Sequence, residues 1–412
     1  MFLGEPAPPS ELVDREQEVQ TLVNDLSNPK VNYSHAVIGY RRIGKSSILK
    51  KVEFLLRQKG IPVVYFDVRR NLAEPETFLT SLQESIFNEY LRQLSGPKRV
   101  AISVQRVVER GARMITTLLS SKRLEGIGVE LSTDPSGEIR IVPKLDFGKG
   151  APNYAKIFDA VFRSVPALAG KAKKKFVVIL DEFQELEKLK RYRGLSNIIE
   201  RFRGALQERG KLVSYVISGS RVHMLRTMIR DKNSPLFLHF KEVPVGPMQE
   251  RYAKELFKKY VEAKGTKGSI VDQAATEAYT LVGGHPFYII ALAEAWDGKR
   301  GVRNAFDGLL DLPTGAIKLY AEYVITEDIA EAQGGPILLT IMKALAVKGT
   351  MSIGALAKAV GKPANYLQQY VDELLKFDVI VKEGKDYSLT DGVIATYLRK
   401  IASAQINKSI YK

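Results

Sequence analysis

Residues 39 to 47 of the chain read Gly39-Tyr40-Arg41-Arg42-Ile43-Gly44-Lys45-Ser46-Ser47 and match the phosphate-binding loop pattern G-x-x-x-x-G-K-(S/T) at every fixed position. The apolar run before the loop, His35-Ala36-Val37-Ile38, predicts a short buried strand. A helix is predicted after the loop, because apolar residues recur on one face: Ile48, Leu49, Val52, Leu55 and Leu56. A strand, a glycine loop and a helix N-terminus form an anion site, since backbone N–H groups turn inward and the helix dipole adds positive potential.

The loop from Gly39 to Ser47 therefore provides the predicted nucleotide-binding residues. Lys45 is expected to reach the β- and γ-phosphates of the nucleotide, and the Ser46 hydroxyl to bind Mg2+. The alternative is a chance match of the four fixed positions. The strand and helix predicted on either side of the loop argue against that alternative.

A second motif joins an apolar run to two carboxylates in Phe176-Val177-Val178-Ile179-Leu180-Asp181-Glu182. The apolar run predicts a central strand, and Asp181 would lie at its carboxyl end beside the phosphate loop, where open α/β sheets bind ligands. There Asp181 is predicted to hold Mg2+, directly or through water, and Glu182 to orient and deprotonate an attacking water. Two carboxylates after a strand can also be a helix N-cap pair, but the phosphate loop upstream favours the catalytic interpretation.

The run from Leu212 to Ser220 predicts another strand, which ends in small polar residues. Ser220 and Arg221 are candidates for sensing the γ-phosphate, with a simple strand-to-helix cap as the alternative. Arg226 and Arg230 lie on the helix expected next. Either is a candidate arginine finger acting across a subunit interface, and the sequence does not choose between them.

Composition limits the remaining classes of protein. The chain has 412 residues, 45% of them apolar, so two or three domains are expected. It has no cysteine, which excludes disulfides, thiolate nucleophiles and zinc–thiolate sites. No apolar run approaches a membrane span, and the start lacks the features of a signal peptide, so we expect a cytoplasmic protein with no membrane partner. The net charge of +16 attracts polyanions such as DNA, with general surface charge as the alternative.

The first predicted domain covers residues 1–242 and contains an insertion at about 97–150. Within the insertion, Ile127–Leu131 and Ile139–Val142 alternate around Asp134-Pro135-Ser136-Gly137 and predict a hairpin. Before the hairpin lies a basic stretch that is expected to be helical, with Lys98, Arg99, Arg106, Arg110, Arg113, Lys122 and Arg123. A solvated surface is the default interpretation of this stretch, and a DNA-facing patch is the alternative.

A helical lid is predicted for residues 243–330, after the boundary Val243-Pro244-Val245-Gly246-Pro247. Its two amphipathic helices precede Gly283-Gly284-His285-Pro286, which breaks and restarts the helical pattern. His285 is a candidate for approaching the nucleotide, with a packing or capping role as the alternative.

The third predicted unit, residues 331–412, shows three helical patterns followed by a hairpin, which is the order of a winged helix. The third helix carries polar residues able to read base edges, namely Asn365, Gln368 and Gln369. The hairpin carries Lys382 and Lys385, which suit phosphate contacts. Modules of this kind also mediate protein contacts, so DNA and a protein partner both stay open.

The order of these motifs resembles the archaeal ATPase family within the STAND group of AAA+ proteins. The resemblance covers nearly the whole chain and rests on Leu12-Val13-Asp14-Arg15-Glu16, the double-arginine loop, Phe176–Glu182, Gly219-Ser220, Gly283-Gly284-His285-Pro286 and the C-terminal unit. It implies an α/β P-loop fold with a three-layer αβα arrangement and a five-stranded parallel sheet. In that sheet one strand separates the two motif strands, and a helical lid and a winged helix follow.

The resemblance also implies ATP or ADP and Mg2+ as cofactors, with Val13 and Arg15 near the adenine and His285 and Pro286 at the lid side of the nucleotide. Relatives often carry glycine where this chain has Asp14, which places the adenine contact in question. The leading hypothesis is an ATP-hydrolysing switch acting on DNA or a nucleoprotein complex. A nucleotide-locked scaffold with a protein partner and a ring-forming DNA motor are the alternatives, and the oligomeric state is not predicted.

Overall fold

A computed structural model of the chain describes residues 5–94, 126–133, 139–146, 152–331 and 335–410. The described strands are β1 His35–Ile38, β2 Val63–Asp67, β3 Ile127–Thr133, β4 Ile139–Leu145, β5 Phe176–Asp181, β6 Val213–Gly219, β7 Lys241–Pro244, β8 Met351–Ser352, β9 Ile380–Glu383 and β10 Asp386–Leu389.

The described α-helices follow the same chain order. They are α1 Glu16–Ser27, α2 Lys45–Gln58, α3 Pro75–Leu94, α4 Tyr154–Ala172, α5 Ile198–Glu208, α6 Val222–Arg230, α7 Glu250–Ala263, α8 Ser269–Val282, α9 Pro286–Ala295, α10 Val302–Asp311, α11 Ala316–Glu331, α12 Gly335–Lys348, α13 Ile353–Val360, α14 Ala364–Lys376 and α15 Gly392–Ile410. None of these described helices combines the length and apolarity needed to cross a membrane.

Five parallel strands form the main sheet in the order β2-β5-β6-β1-β7. β6 lies between β1 and β5, which confirms the expectation of a strand between the two motif strands. The registers place Ile38 beside Gly219 and Asp67 beside Asp181. Because all five strands are parallel, the phosphate loop, Asp181 and the end of β6 share one edge of the sheet.

The sheet is covered on both faces, as a parallel sheet requires. One apolar cluster joins α1 and α2 to strand residues such as Val37 and Ile179. The alternate residues Ile38 and Leu180 face a second cluster, which includes α3, α4, α5 and α6. The three-layer αβα architecture is therefore confirmed. β7 ends at Pro244, so the sheet runs two residues past the boundary expected at residue 242.

The structure differs from the sequence pattern at two places. The charged residues after β5, from Lys188 to Arg209, predict one helix, but the segment forms a 3-10 helix, Phe183–Arg191, followed by α5. Gly194 lies between them with a φ of 86°, which a helix does not accommodate. Asp14 is a residue type that predicts a helix N-cap, but the first helix begins at Glu16 with Arg15 as its N-cap.

The predicted hairpin in the insertion is present as the antiparallel pair β3 and β4. The basic residues of the insertion, from Lys98 to Arg123, lie outside the described residues.

The lid helices and the C-terminal unit share one apolar cluster that extends from Met248 to Leu398. The C-terminal unit has the predicted order of three helices and a hairpin, with β8, β10 and β9 forming a small antiparallel sheet. Polar contacts also join the two parts, because the Tyr397 hydroxyl donates to Glu322 and Lys400 pairs with Asp311.

Candidate active site

The phosphate loop connects β1 to α2 and passes close to the start of the lid segment. A Cβ atom at Gly39 would lie 2.4 Å from the Val245 carbonyl oxygen, so only glycine allows this approach. Gly44 has a φ of 105°, a conformation that favours glycine, and it is directly followed by α2. The N-terminal amides of α2 therefore open onto the loop, as an anion site requires.

Lys45 is buried at the start of α2. Its ammonium donates to the Tyr40 carbonyl at 3.0 Å, the one acceptor it has among the described residues. Burial lowers the pKa of Lys45, while the Glu182 and Asp181 carboxylates raise it. Because an ammonium carries three donors, two remain for phosphate oxygens.

Asp181 lies at the end of β5 and accepts four hydrogen bonds. Its Oδ2 accepts from the Ser46 hydroxyl at 2.8 Å and from the Tyr65 hydroxyl at 2.5 Å. Its Oδ1 accepts from the Ser218 hydroxyl and from the Glu182 N–H, the latter at 3.1 Å. The Ser46 contact joins the two sequence motifs, whose proposed metal-binding residues are thus adjacent.

Glu182 follows Asp181 in a left-handed conformation, with a φ of 53°. Its Oε2 accepts from the Ser220 N–H at 3.2 Å, the Ser220 hydroxyl at 2.8 Å and the Gln184 amide at 2.5 Å. Burial raises the pKa of Glu182, but the Lys45 charge and these donors outweigh it and lower the pKa overall. The carboxylate is therefore ionised at neutral pH. A Cβ at Gly219 would lie 2.1 Å from Gln184 Oε1, so the glycine makes room for this arrangement.

A first cavity of about 350 Å³ brings most of the predicted site residues together. It is lined by the loop from Arg41 to Ser47, by Glu182, and by Val13, Arg15 and Pro286. Its apolar end is lined by Leu12, Val13, Met248, Leu256, Phe287 and Ile290. The cavity thus has a polar end suited to phosphates and an apolar end suited to an aromatic base.

Arg15 and the N-terminal segment hold the edge of the first cavity. The Arg15 guanidinium donates to the Ile43 carbonyl at 3.2 Å and to the Gly246 carbonyl at 2.7 Å, tying the loop to the lid segment. Asp14 has a φ of 67°, which explains why glycine suits this position. Ser47 lies under the N-terminal segment and accepts from the Ala7 N–H at 3.0 Å.

A second cavity, of about 610 Å³, shares Arg41 and Ile43 of the loop with the first. It is lined by four other predicted residues, Tyr40, Ser220, Arg221 and His285, whereas Gly39 and Asp181 line neither cavity. Arg221 stacks on the Phe377 ring, with its guanidinium carbon 4.9 Å from the ring centroid. The structure thus places Arg221 against the C-terminal unit.

His285 packs behind the loop. Its Nε2 lies 3.2 Å from the Arg41 carbonyl oxygen, and its ring lies 4.6 Å from that of Tyr288, centroid to centroid. Burial lowers the pKa of His285, with the Lys45 and Arg42 charges acting in the same direction. A neutral imidazole packed between loop and lid matches the packing alternative.

The two loop arginines contact aromatic side chains of the lid. The Arg41 guanidinium lies 4.8 Å from the Tyr323 ring centroid, and the Arg42 guanidinium lies 4.6 Å from that of Phe287. Tyr323 also accepts from Arg69 at 2.9 Å. These cation–π contacts join the phosphate loop to the lid.

Arg226 and Arg230, the candidate arginine fingers, both pair with Glu242 on β7. Neither residue lines the first cavity.

Sequence reasoning missed Tyr65, Ser218, Arg69 and Tyr323. A usable signal existed for three of them. Ser218 lies near the carboxyl end of β6 and Tyr65 in the middle of β2, the two strands next to β5, and Arg69 follows β2 at the same edge. Tyr323 lies on α11, far away in sequence, and carried no such signal.

The described residues fit a nucleotide with Mg2+. The buried Lys45 and the amides at the start of α2 suit the phosphates. The hydroxyl oxygen of Ser46 is a ligand of the kind that Mg2+ prefers, and the Asp181 carboxylate holds that hydroxyl and adds negative charge beside it.

Comparisons with known proteins agree with this geometry. A family model described as an ATPase domain predominantly from Archaea matches residues 12–292. A Walker-type ATPase of Pyrococcus abyssi aligns with a TM-score of 0.62 at 20% identity, over 97% of this chain and 100% of its own. The ORC2 protein of Aeropyrum pernix, in ADPNP–ADP complexes, aligns with a TM-score of 0.53 at 15% identity, over 99% and 98% of the two chains. Curated protein sequences give no match.

The parallel sheet, the phosphate loop and the adjacent carboxylates define an ATP-binding P-loop ATPase with the AAA+ fold. More narrowly, the chain belongs to the family of ATPase domains found predominantly in Archaea, because the family model matches more than half of its length.

Proposed function

We propose that the protein is an ATP-dependent molecular switch of the STAND type. Mg2+-dependent hydrolysis in the first cavity would move the lid and the C-terminal unit, which acts on DNA. The observation that carries this proposal is the junction of the two motifs: Ser46 donates to Asp181, and Glu182 lines the same cavity as Lys45. ATP, Mg2+ and an attacking water would all meet there.

Each site residue has a separate role in this proposal. Lys45 and the amides at the start of α2 bind the phosphates, and Ser46 with Asp181 holds Mg2+. Bound Mg2+ would neutralise charge on the phosphate oxygens. Glu182 is ionised and would accept a proton from water once it leaves its Ser220 and Gln184 donors. Val13 and Pro286 would contact the adenine from opposite sides of the cavity's apolar end, with Arg15 fixing that edge.

The contacts of the helix after β6 support the switch. α6 begins directly after Ser220 and Arg221, and its N-cap Arg221 provides no side-chain cap. The Asp378 carboxylate caps it instead, accepting from the His223 N–H at 2.9 Å. Ser220 contacts Glu182, so only two residues lie between Ser220, the partner of the catalytic carboxylate, and His223, where the C-terminal unit docks. Rearrangement at Glu182 would therefore change how that unit docks.

DNA is the proposed partner because the C-terminal unit presents suitable groups. Asn365 and Gln369 on α14 are exposed, as are Lys382 and Lys385 around the β9–β10 hairpin. The net charge of +16 favours association with a polyanion. We propose that the unit is a winged helix and that its third helix and hairpin make this contact.

The Glu182→Gln variant tests the enzyme part of the proposal. We expect ATP affinity to stay within about threefold and turnover to fall by about a hundredfold or more, since a general base contributes about 10²–10⁴. Phosphate release and equilibrium ATP binding are the two measurements. Glu187→Gln, on the 3-10 helix that follows, removes the same charge and should match wild type. If wild type hydrolyses ATP no faster than Glu182→Gln, with or without DNA, the scaffold alternative is correct.

Titration of the protein with duplex DNA at rising salt concentration tests whether DNA is the partner. Binding should weaken steeply with salt, and replacing both Lys382 and Lys385 by alanine should reduce the salt slope by about 1 to 2. Lys267→Ala, an exposed lysine between α7 and α8, controls for net charge. If the protein does not bind DNA even at low salt, the alternative of a protein partner is favoured. A mass measurement in the presence of ATP tests the alternative of a ring-forming motor.

A further inference from the structure

The Asp181 carboxylate is fully occupied by protein donors. Each carboxylate oxygen has two lone pairs. Ser46 and Tyr65 donate to Oδ2, while Ser218 and the Glu182 amide donate to Oδ1. No lone pair is left over for a direct bond to a metal ion. Asp181 can therefore act on a cation through the groups that it holds.

The Tyr65 side chain is fixed in the orientation in which its hydroxyl donates to Asp181. It lies in the middle of β2, paired in register with Ile179 of β5, and it packs against the apolar cluster under α2. The Lys50 ammonium, on α2, lies 3.6 Å from the centroid of the Tyr65 ring. This cation–π contact and the strand pairing hold the ring from two sides, so the hydroxyl points to Asp181.

We propose that Tyr65 is a positioning residue of the Mg2+ site: its hydroxyl fixes the Asp181 carboxylate, which in turn holds the Ser46 hydroxyl in place as a ligand for the ion. This inference rests on the proposed function, because it requires Mg2+ with nucleotide in the first cavity. Residues that orient the ligands of a metal commonly affect its affinity by about 10- to 100-fold. The sequence gives Tyr65 no such role, since it belongs to neither motif.

The test compares Tyr65→Phe with wild type, using Mn2+ as the probe. Electron paramagnetic resonance measures the Kd of Mn2+ at saturating ADP, and a separate titration in EDTA measures the Kd of ADP alone. We expect the Mn2+ Kd to rise about tenfold and the ADP Kd in EDTA to stay within about twofold, because Lys45 and the loop amides are untouched. Tyr90→Phe is the matched control: Tyr90 is fully buried, and its hydroxyl has no partner among the described residues.

A second variant keeps the proposal testable if Tyr65→Phe does not fold. Ser218→Ala removes a donor from the other carboxylate oxygen and should show the same split between Mn2+ and ADP. Unchanged Mn2+ affinity in both variants overturns the proposal, as does an equal loss of ADP binding in EDTA, which would mark a general effect on the fold. If wild type binds neither ADP nor Mn2+, the proposed function fails and this inference fails with it. If wild type binds both ADP and Mn2+, and both variants bind them as wild type does, the proposed function stands and only the role of Tyr65 is wrong.

Discussion

The first and second cavities share Arg41 and Ile43 of the phosphate loop but are otherwise lined by different residues. The polar end of the first comes from two contiguous motifs of one domain, with Lys45 and Glu182 on its wall. The second is enclosed by all three units, with Arg221 from the sheet domain, His285 from the lid and Asp391 from the C-terminal unit. The polar end of the first cavity therefore depends on two short motifs, 135 residues apart at Ser46 and Asp181, whereas the second cavity depends on single residues from all three units.

The contacts around the second cavity form a connected series from the loop to the C-terminal unit. The Arg41 carbonyl meets His285, whose ring packs on Tyr288. The Tyr288 hydroxyl donates to Asp391 Oδ2 at 2.6 Å. Asp391 Oδ1 in turn accepts from the Val393 N–H at 2.8 Å, near the start of α15. Because the lid and the C-terminal unit share one apolar cluster, they are expected to move together.

Lys45→Ala should cause the largest change, a loss of ATP affinity, and this change should be confined to the first cavity. Loss of a buried ammonium removes about two charge-assisted hydrogen bonds to phosphate, so ATP affinity should fall at least about a hundredfold. Isothermal titration calorimetry measures this, and the thermal midpoint without nucleotide should change little in comparison.

The exposed Lys59, at the other end of α2, provides the control for Lys45→Ala. Lys59→Ala removes the same charge and should bind ATP as wild type does. Comparable weakening by the two variants would mean that general charge, and not the loop geometry, attracts the nucleotide.

Tyr288→Phe should give the next effect, and it should fall on stability. Removing the hydroxyl leaves Asp391 Oδ2 without this donor, at a cost of about 1–3 kcal/mol of unfolding free energy. ATP affinity should stay within about twofold, because no loop atom is removed. Urea unfolding and ATP titration are the paired measurements.

Tyr215→Phe serves as the control for Tyr288→Phe, since the Tyr215 hydroxyl is buried with no partner among the described residues. Its stability should match or slightly exceed that of wild type. A Tyr288→Phe variant that loses ATP binding as strongly as Lys45→Ala would show that the two cavities are not separable.

The sequence predicted the first cavity well and the second poorly, for a physical reason. Lys45, Ser46, Asp181 and Glu182 sit in motifs whose spacing itself dictates the turn and the strand end. The resemblance to the archaeal ATPase family implied the five-stranded parallel sheet and the strand between the two motif strands, and the structure confirms both. His285 was identified because it follows Gly283 and Gly284 in a recognisable motif. Its neighbours Tyr288 and Asp391 belong to no motif, and no local pattern links two residues that are 103 positions apart.

Two local features show the same limit. The role of Ser220 in sensing the γ-phosphate stays a prediction, and the sequence did not indicate that Ser220 holds Glu182, because that contact depends on the left-handed turn at Glu182. The charged residues between the 3-10 helix and α5 fit a helical pattern, and that pattern does not indicate the break at the left-handed Gly194.

Removing the ion pairs of Glu242 should cause the smallest change in stability. Arg226 and Arg230 both pair with Glu242 and are 42% and 63% exposed. Exposed pairs of this kind contribute about 0–1 kcal/mol, so replacing either arginine by methionine should change the unfolding free energy by less than about 1 kcal/mol. Because neither residue lines the first cavity, turnover at high dilution should also be unchanged.

The dependence of turnover on protein concentration tests whether Arg226 or Arg230 acts on the active site of a neighbouring subunit. A finger supplied by a neighbouring subunit is worth about 10³–10⁵ in turnover, and that gain would appear only where subunits meet. Wild-type turnover per subunit that rises with protein concentration, and fails to rise in Arg226→Met or Arg230→Met, would place that residue in a neighbour's first cavity. Glu242→Gln separates the two roles: it removes the partner of both arginines, so it should reproduce their small loss of stability while leaving any rise in turnover intact.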